Sequence, residues 1–204
     1  MSLFPSERCT VAVNLSKGQT VSLTKDNGGG LSQVRMGLGW DAMKKKGFFG
    51  GTKEVAVDLD ASALLLDAQG QVLDVVYYGN LRSRDNSIIH TGDNLTGAGD
   101  GDDESIMVDL PRVPAAVTHI VFTVNSYSGQ NFGQIENATA RVVDSADHDK
   151  ELVRYTLTGS GSHTAVVMAR LSRSGTGWTF TAIGAPGNAR TADQLVPLAR
   201  QSLS

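Results

Sequence analysis

The chain has 204 residues, of which 40% are hydrophobic and 19% charged. It can bury a sizeable core, and it has neither the composition of a disordered chain nor an apolar run near the ~20 residues needed to cross a bilayer. A formal net charge of −3 gives no electrostatic reason to expect nucleic acid, and a single cysteine, Cys9, excludes an internal disulfide. The segment Met1 to Arg8 lacks the basic start and long apolar stretch of a signal peptide, so a soluble, cytoplasmic protein is expected.

Alternating apolar residues predict a first hairpin from Val11 to Val13 and Thr20 to Leu23, with Cys9 a small buried residue near its start. Asp26 to Gly30 is a turn cluster. Val34, Met36, Leu38 and Trp40 share one face of the next strand, and the alternating Gly37 and Gly39 predict a close approach by other backbone. Asp41 to Gly51, with Lys44-Lys45-Lys46, reads as a solvated loop. Glu54 to Asp60 is the most strand-like run, with Val55, Val57 and Leu59 on one face and Asp58 and Asp60 on the other. A turn, a short strand from Ala63 to Leu66, a hairpin turn at Asp67 to Gly70 and a strand from Val72 to Tyr78 follow.

After a polar loop, Ser87 to Thr91 leads into an acidic stretch. Ser105 to Leu110 leaves it as a strand ended by Pro111 and Pro114. Val117 to Asn125 is a further strand; Ala138 to Val143 pairs with Leu152 to Leu157, and Ala165 to Leu171 with Trp178 to Ile183. The tail predicts a short helix, Thr191 as its cap and Leu195, Leu198 and Ala199 facing inward. A weak echo between the Val57 to Tyr78 and Thr123 to Tyr155 regions suggests two related halves packed face to face. The expectation is an all-β chain: one domain over residues 1–204, a β-sandwich of two packed, mainly antiparallel sheets with a short C-terminal helix.

The acidic stretch, Asp93 to Glu104, holds five acids, one Asn and three Gly in twelve positions and no Lys or Arg. Carboxylates so crowded resist ionising unless a cation lies among them. Ca²⁺ takes about six to eight oxygens from carboxylates, amides and backbone carbonyls, and glycines let a chain converge them. A solvated acidic turn is the plainer alternative. The stretch is not an EF-hand loop: Leu95, Gly97 and Ala98 stand where that loop needs oxygen ligands and its central Gly. Asp58 and Asp60 project the same way, about 7 Å apart along their strand. Together with Asp93, Asn94, Asp100, Asp102, Asp103 and Glu104, and with backbone carbonyls at Gly97 and Gly99, they form a candidate site for one or two Ca²⁺. The spacing leaves open which acids would touch the ion.

Val57-Asp58-Leu59-Asp60-Ala61-Ser62, then Gly92-Asp93-Asn94, Thr96-Gly97, Gly99 and Gly101-Asp102-Asp103-Glu104, resemble the TerD family of tellurium-resistance and stress proteins. Leu15-Ser16-Lys17-Gly18-Gln19, Gly37-Leu38-Gly39-Trp40-Asp41, Asn131 to Ala138 and Gly177-Trp178 with Phe180 extend the resemblance over nearly the whole chain. It implies a calcium-binding β-sandwich used under tellurite or general stress, acting as a calcium-responsive binding or adaptor module. It also implies protein partners, some at the inner face of the membrane. The family's calcium motifs fall on Asp58, Asp60, Asp93, Asn94, Asp102, Asp103 and Glu104, with Asp100 in a variable slot.

Two rival readings use the same acids: a metal-dependent hydrolase, and a passive module that calcium merely stabilises. Against an enzyme, there is no nucleophile elbow or P-loop, and His90, His119, His148 and His163 lack metal-ligand spacing. His90 is the best placed of the four. The expectation is a binding protein, not an enzyme.

Overall fold

The computed structural model describes residues 13–14, 20–22, 32–46, 51–97, 101–157, 161–175 and 177–203. The sequence readings at Cys9, Asp26 to Gly30, Gly99 and Asp100 lie outside them. The strands are β1 (Val13–Asn14), β2 (Thr20–Ser22), β3 (Gln33–Asp41), β4 (Met43–Lys46), β5 (Thr52–Val55), β6 (Leu59–Leu66) and β7 (Val72–Val76). They continue with β8 (Ile88–His90), β9 (Glu104–Asp109), β10 (His119–Ser126), β11 (Glu136–Asp144), β12 (Lys150–Thr156), β13 (Ala165–Ser174) and β14 (Gly177–Gly187); one helix, α1 (Ala192–Gln201), closes the chain. Among the described residues no helix is long and apolar enough to cross a membrane.

Two sheets form the sandwich. Their orders are β1-β12-β11-β3-β9-β8 and β2-β14-β13-β10-β6-β7. Every pairing within them is antiparallel except β1 with β12. The inner faces meet in one core. Val34, Met36, Leu38 and Trp40 of β3 and Ile106 and Val108 of β9 line the first sheet's side; Leu59, Ala61, Ala63 and Leu65 of β6 and Ile120, Phe122 and Val124 of β10 line the second. This is the period-2 alternation that the sequence carries.

The outer face of the second sheet is also covered. Leu64, Leu66, Val121 and Val167 pack with Ala192 and Ala199 of α1, and Arg200 Nε donates to the carbonyl of Gly70 at 2.8 Å. The helix begins after Thr191 and buries Leu195 and Ala199 as expected, with Leu198 half-buried.

Four expectations are corrected. β1 and β2 do not form a hairpin; they lie in different sheets, against β12 and β14. The Asp41 to Gly51 region is not wholly loop, because β4 pairs with β5. The run from Glu54 to Asp60 is broken between Val55 and Leu59, while β6 runs unbroken through the turn expected before Ala63. Burial on both faces explains that continuous apolar stretch, which hides the alternation. Finally, β6 and β10 are neighbours in one sheet while β11 and β12 belong to the other, so the echoing segments are not two halves packed face to face.

Phe122 lies mid-strand in β10, 1% exposed. Phe122→Ala is expected to lower unfolding free energy by about 3–5 kcal/mol, read as a shift of the denaturant midpoint.

Candidate metal centre

At the end of the sandwich where β6 begins, three carboxylates converge. Asp58, Asp60 and Asp93 each offer an oxygen, and these lie within 4.8 Å of one another. Asp58 occupies the break before β6. Its carbonyl accepts from the Tyr127 amide at 3.0 Å, and the carbonyl of the preceding Val57 accepts from Trp40 Nε1 at 2.9 Å. Val57 and Leu59, on either side, are fully buried, which forces Asp58 outward. Asp60, 3% exposed, is held in β6, where Asn125 stands opposite on β10 and donates from Nδ2 to Asp60 Oδ2 at 2.7 Å. Asp93 comes from the exposed loop after β8.

The loop is shaped by polar contacts to its neighbours. Asn94 Oδ1 accepts from the amides of Thr96 and Gly97 at 3.0 and 3.1 Å, a turn built by a side chain imitating backbone. Asn94 Nδ2 donates to Asp103 Oδ1 at 2.8 Å, and Asp103 Oδ2 accepts from the Trp40 amide at 2.9 Å. Gly97 takes a positive φ of 64° against the Trp40 indole, where a Cβ would stand 2.3 Å from Nε1. Glu104, 1% exposed, reaches across the core: Oε2 accepts from the Ala61 amide at 2.7 Å and Oε1 from the Asn94 amide at 3.2 Å. His90 Nε2 lies 3.3 Å from Glu104 Oε2.

Asp102 stands apart. Its carboxylate takes a two-pronged contact from Arg141, at 2.8 and 3.0 Å, and a second guanidinium from Arg35. It lies over Gly37, while the carbonyl of Gly101 lies over Gly39. The close approach of other backbone expected at the two glycines is met at Gly39, by the Gly101 carbonyl, whereas at Gly37 the neighbour is the Asp102 side chain. Both come from the acidic loop itself, crossing the outer face of β3.

The ten sequence candidates thus take different places. Asp58, Asp60 and Asp93 form the cluster. Asn94, Gly97, Asp103 and Glu104 shape the loop and tie it to β3 and β6. Asp102 is committed to two arginines, and Gly99 and Asp100 are outside the described residues. Asn125 and Trp40 are the residues that sequence reasoning missed. Only the β6–β10 register places Asn125 opposite Asp60, and only the Asp58 break gives the indole its acceptor.

Electrostatics within the cluster are repulsive. Burial, then the charges of Asp58 and Glu104, push Asp60 up to about 7, although the Asn125 hydrogen bond works against them. Burial, then Asp93 and Glu104, raise Asp58. Burial also raises Asp103, opposed by the Trp40 amide. Among the described residues no Lys or Arg pairs with Asp58, Asp60 or Asp93, and Asp58 Oδ1 is buried without a hydrogen-bond partner. Three hard oxygen donors, mutual repulsion and an orphaned carboxylate oxygen fit a hard divalent cation.

A family model described as TerD domain matches residues 11–201. Tellurium resistance protein TerZ of Serratia marcescens is 49% identical over 185 residues, 90% of this chain and 94% of that protein. General stress protein 16U of Bacillus subtilis is 43% identical over 182 residues, 85% of this chain and 90% of that protein. The crystal structure of a telluride resistance protein homologue from Streptomyces coelicolor A3(2) superposes with a TM-score of 0.68 at 21% identity, covering 82% of this chain and 96% of that one. That likeness shows the fold.

The raised Asp60 carries a pH signature. The folded state holds the proton more tightly than the unfolded chain, so metal-free protein loses stability as pH rises from about 3.8 to about 7. Melting temperatures of metal-stripped protein are expected to fall across that window, and Asp60→Asn is expected to flatten the dependence.

Proposed function

Because the chain belongs to the TerD domain family, we propose that it serves in resistance to tellurium compounds and in general stress. In this reading it works as a cytoplasmic calcium-binding module and not as an enzyme. The observation that carries the calcium reading is the convergence of Asp58, Asp60 and Asp93, with Asp58 Oδ1 buried and unpartnered. These three carboxylates would hold one Ca²⁺, and the ion would relieve the repulsion that raises Asp58 and Asp60. Relatives named for tellurium resistance and for stress response supply the physiological setting.

A binding role suits what surrounds the cluster. Leu95 and Tyr127 are 60% and 50% exposed, and Tyr78 and Leu81 are also exposed. Leu95 lies two residues beyond Asp93, and the Tyr127 amide is bonded to Asp58. A change of charge at the cluster would therefore be felt beside an apolar rim suited to a protein partner, including one at the inner face of the membrane. Glu104 suits binding over hydrolysis: it is 1% exposed, with its oxygens turned to the Ala61 and Asn94 amides and to His90, which keeps it from a substrate in solvent.

Calorimetric titration of metal-stripped protein with Ca²⁺, and Mg²⁺ as control, tests the site. Preferential Ca²⁺ binding is expected, weakened at least about tenfold by Asp58→Asn or Asp60→Asn. Asp102→Asn should leave Ca²⁺ affinity near wild type while costing about 1–3 kcal/mol of stability through Arg35 and Arg141. Absence of calcium heat, or equal effects of Asp58→Asn and Asp102→Asn on affinity, would sink this assignment.

A further inference from the structure

Behind the cluster, on the outer face of the second sheet, a cavity of about 160 Å³ opens between β6, β7, β10 and the start of α1. Asp60, Asn125, Tyr77, Tyr78, Thr191 and Asp193 are among its walls, and among the described residues no Lys, Arg or His lines it. Tyr77 and Tyr78 stand edge to face, ring centroids 5.3 Å apart and planes at 82°, so two aromatic surfaces meet at a corner. Asn125 is 1% exposed. Its Nδ2 is spent on Asp60 Oδ2 and on the carbonyl of Arg190 at 2.8 Å, which fixes the amide's orientation and leaves Oδ1 buried with no partner. The neighbouring Arg190 places its guanidinium against Gly129.

We infer that this cavity binds an alkylammonium group, the chemistry of a free diamine or of a lysine side chain. The side chains that distinguish it are two carboxylates, an orphaned amide oxygen and two phenol rings, which together call for a cationic hydrogen-bond donor on an apolar stem. The α1 N-terminus opposes a cation, but its effective charge is roughly +0.5 and is outweighed by Asp60 and Asp193. A bare Ca²⁺ would find little use for the aromatic walls, since hard cations take oxygen ligands. Asp60 belongs to both the cavity and the cluster. An ammonium group there draws on the carboxylate that the metal needs, so the two ligands oppose each other reciprocally. This coupling rests on the calcium reading; the cavity does not.

Calorimetric titration of the metal-stripped full chain with putrescine, and separately with Nα-acetyl-lysine amide, tests the proposal. At least one should bind saturably. Asp193→Asn, Tyr77→Leu and Tyr78→Leu, all outside the cluster, should each weaken it about threefold to tenfold while keeping a cooperative thermal transition and the wild-type circular dichroism spectrum as evidence of folding. Tighter putrescine points to a free diamine, and tighter lysine amide to a protein lysine; both support the site. Saturating ammonium ligand should lower apparent Ca²⁺ affinity by the factor by which Ca²⁺ lowers that of the ammonium ligand. Absence of saturable heat from both probes overturns the proposal, as does binding that all three variants leave unchanged. So does a calcium stoichiometry reduced by Asp193→Asn, which would make the cavity a metal site. Ammonium binding without any calcium binding would remove the calcium reading and keep this one.

Discussion

Glu104 is the constraint on which the site depends. A carboxylate buried between two sheets is costly unless donors are brought to it. Here the donors are the amide of Ala61 on β6 and that of Asn94 in the loop. One side chain at the start of β9 therefore fixes the distance between the strand that carries Asp60 and the loop that carries Asp93. Trp40 holds the other side: its amide anchors Asp103 and its indole anchors the break at Val57. Three carboxylates that repel one another are thus positioned by contacts made largely by their neighbours, with Asn125 bonded directly to Asp60.

That arrangement distributes structural support unevenly. Asp60 is locked within β6 by the strand ladder and Asn125, and Asp58 is pinned through its backbone. Asp93 is exposed, and its neighbours Thr91 and Asn94 tie the chain on either side of it to β9 and the acidic loop. A cation shared by the three gains most by drawing the loop toward the strand, because the other two donors are already placed. A ligand shifts a conformational equilibrium only by its difference in affinity for the two states. In this site that difference resides in the loop, next to Leu95.

The sandwich was legible because strands such as β3 carry a clean alternation, as with Val34, Met36, Leu38 and Trp40. The helix was legible from its apolar stripe, and it starts after Thr191 as expected although the Thr191 side chain makes no capping hydrogen bond. β6 was misread because Leu64 and Leu66 face α1 while Ala63 and Leu65 face the core, so both faces are apolar. The failed first hairpin has a different cause. Two short strands joined by a turn look alike whether they pair with each other or diverge to separate sheets, and the partners β12 and β14 lie more than a hundred residues away. The acids were legible as a group but not as individuals. Asp102, Asp103 and Glu104 are consecutive, yet they reach two arginines, the Trp40 amide and the core respectively. No spacing rule separates them, because Arg35 and Arg141 arrive from β3 and β11 through long-range pairing.

Asp60 has a further consequence for what the site can sense. Burial and neighbouring charge raise it to about 7, and its carboxylate is reached from two sides. From one side come Asp58 and Asp93, whose oxygens lie within 4.8 Å of its own. From the other comes a cavity with aromatic walls and the spare oxygen of Asn125. A proton, a metal ion and an ammonium group each relieve the same repulsion, so each weakens the case for the others. On the proposed readings the occupant would be set by relative concentration and affinity, and Asn125, bonded to Asp60 from across the sheet, orients the one carboxylate that both ligands would share.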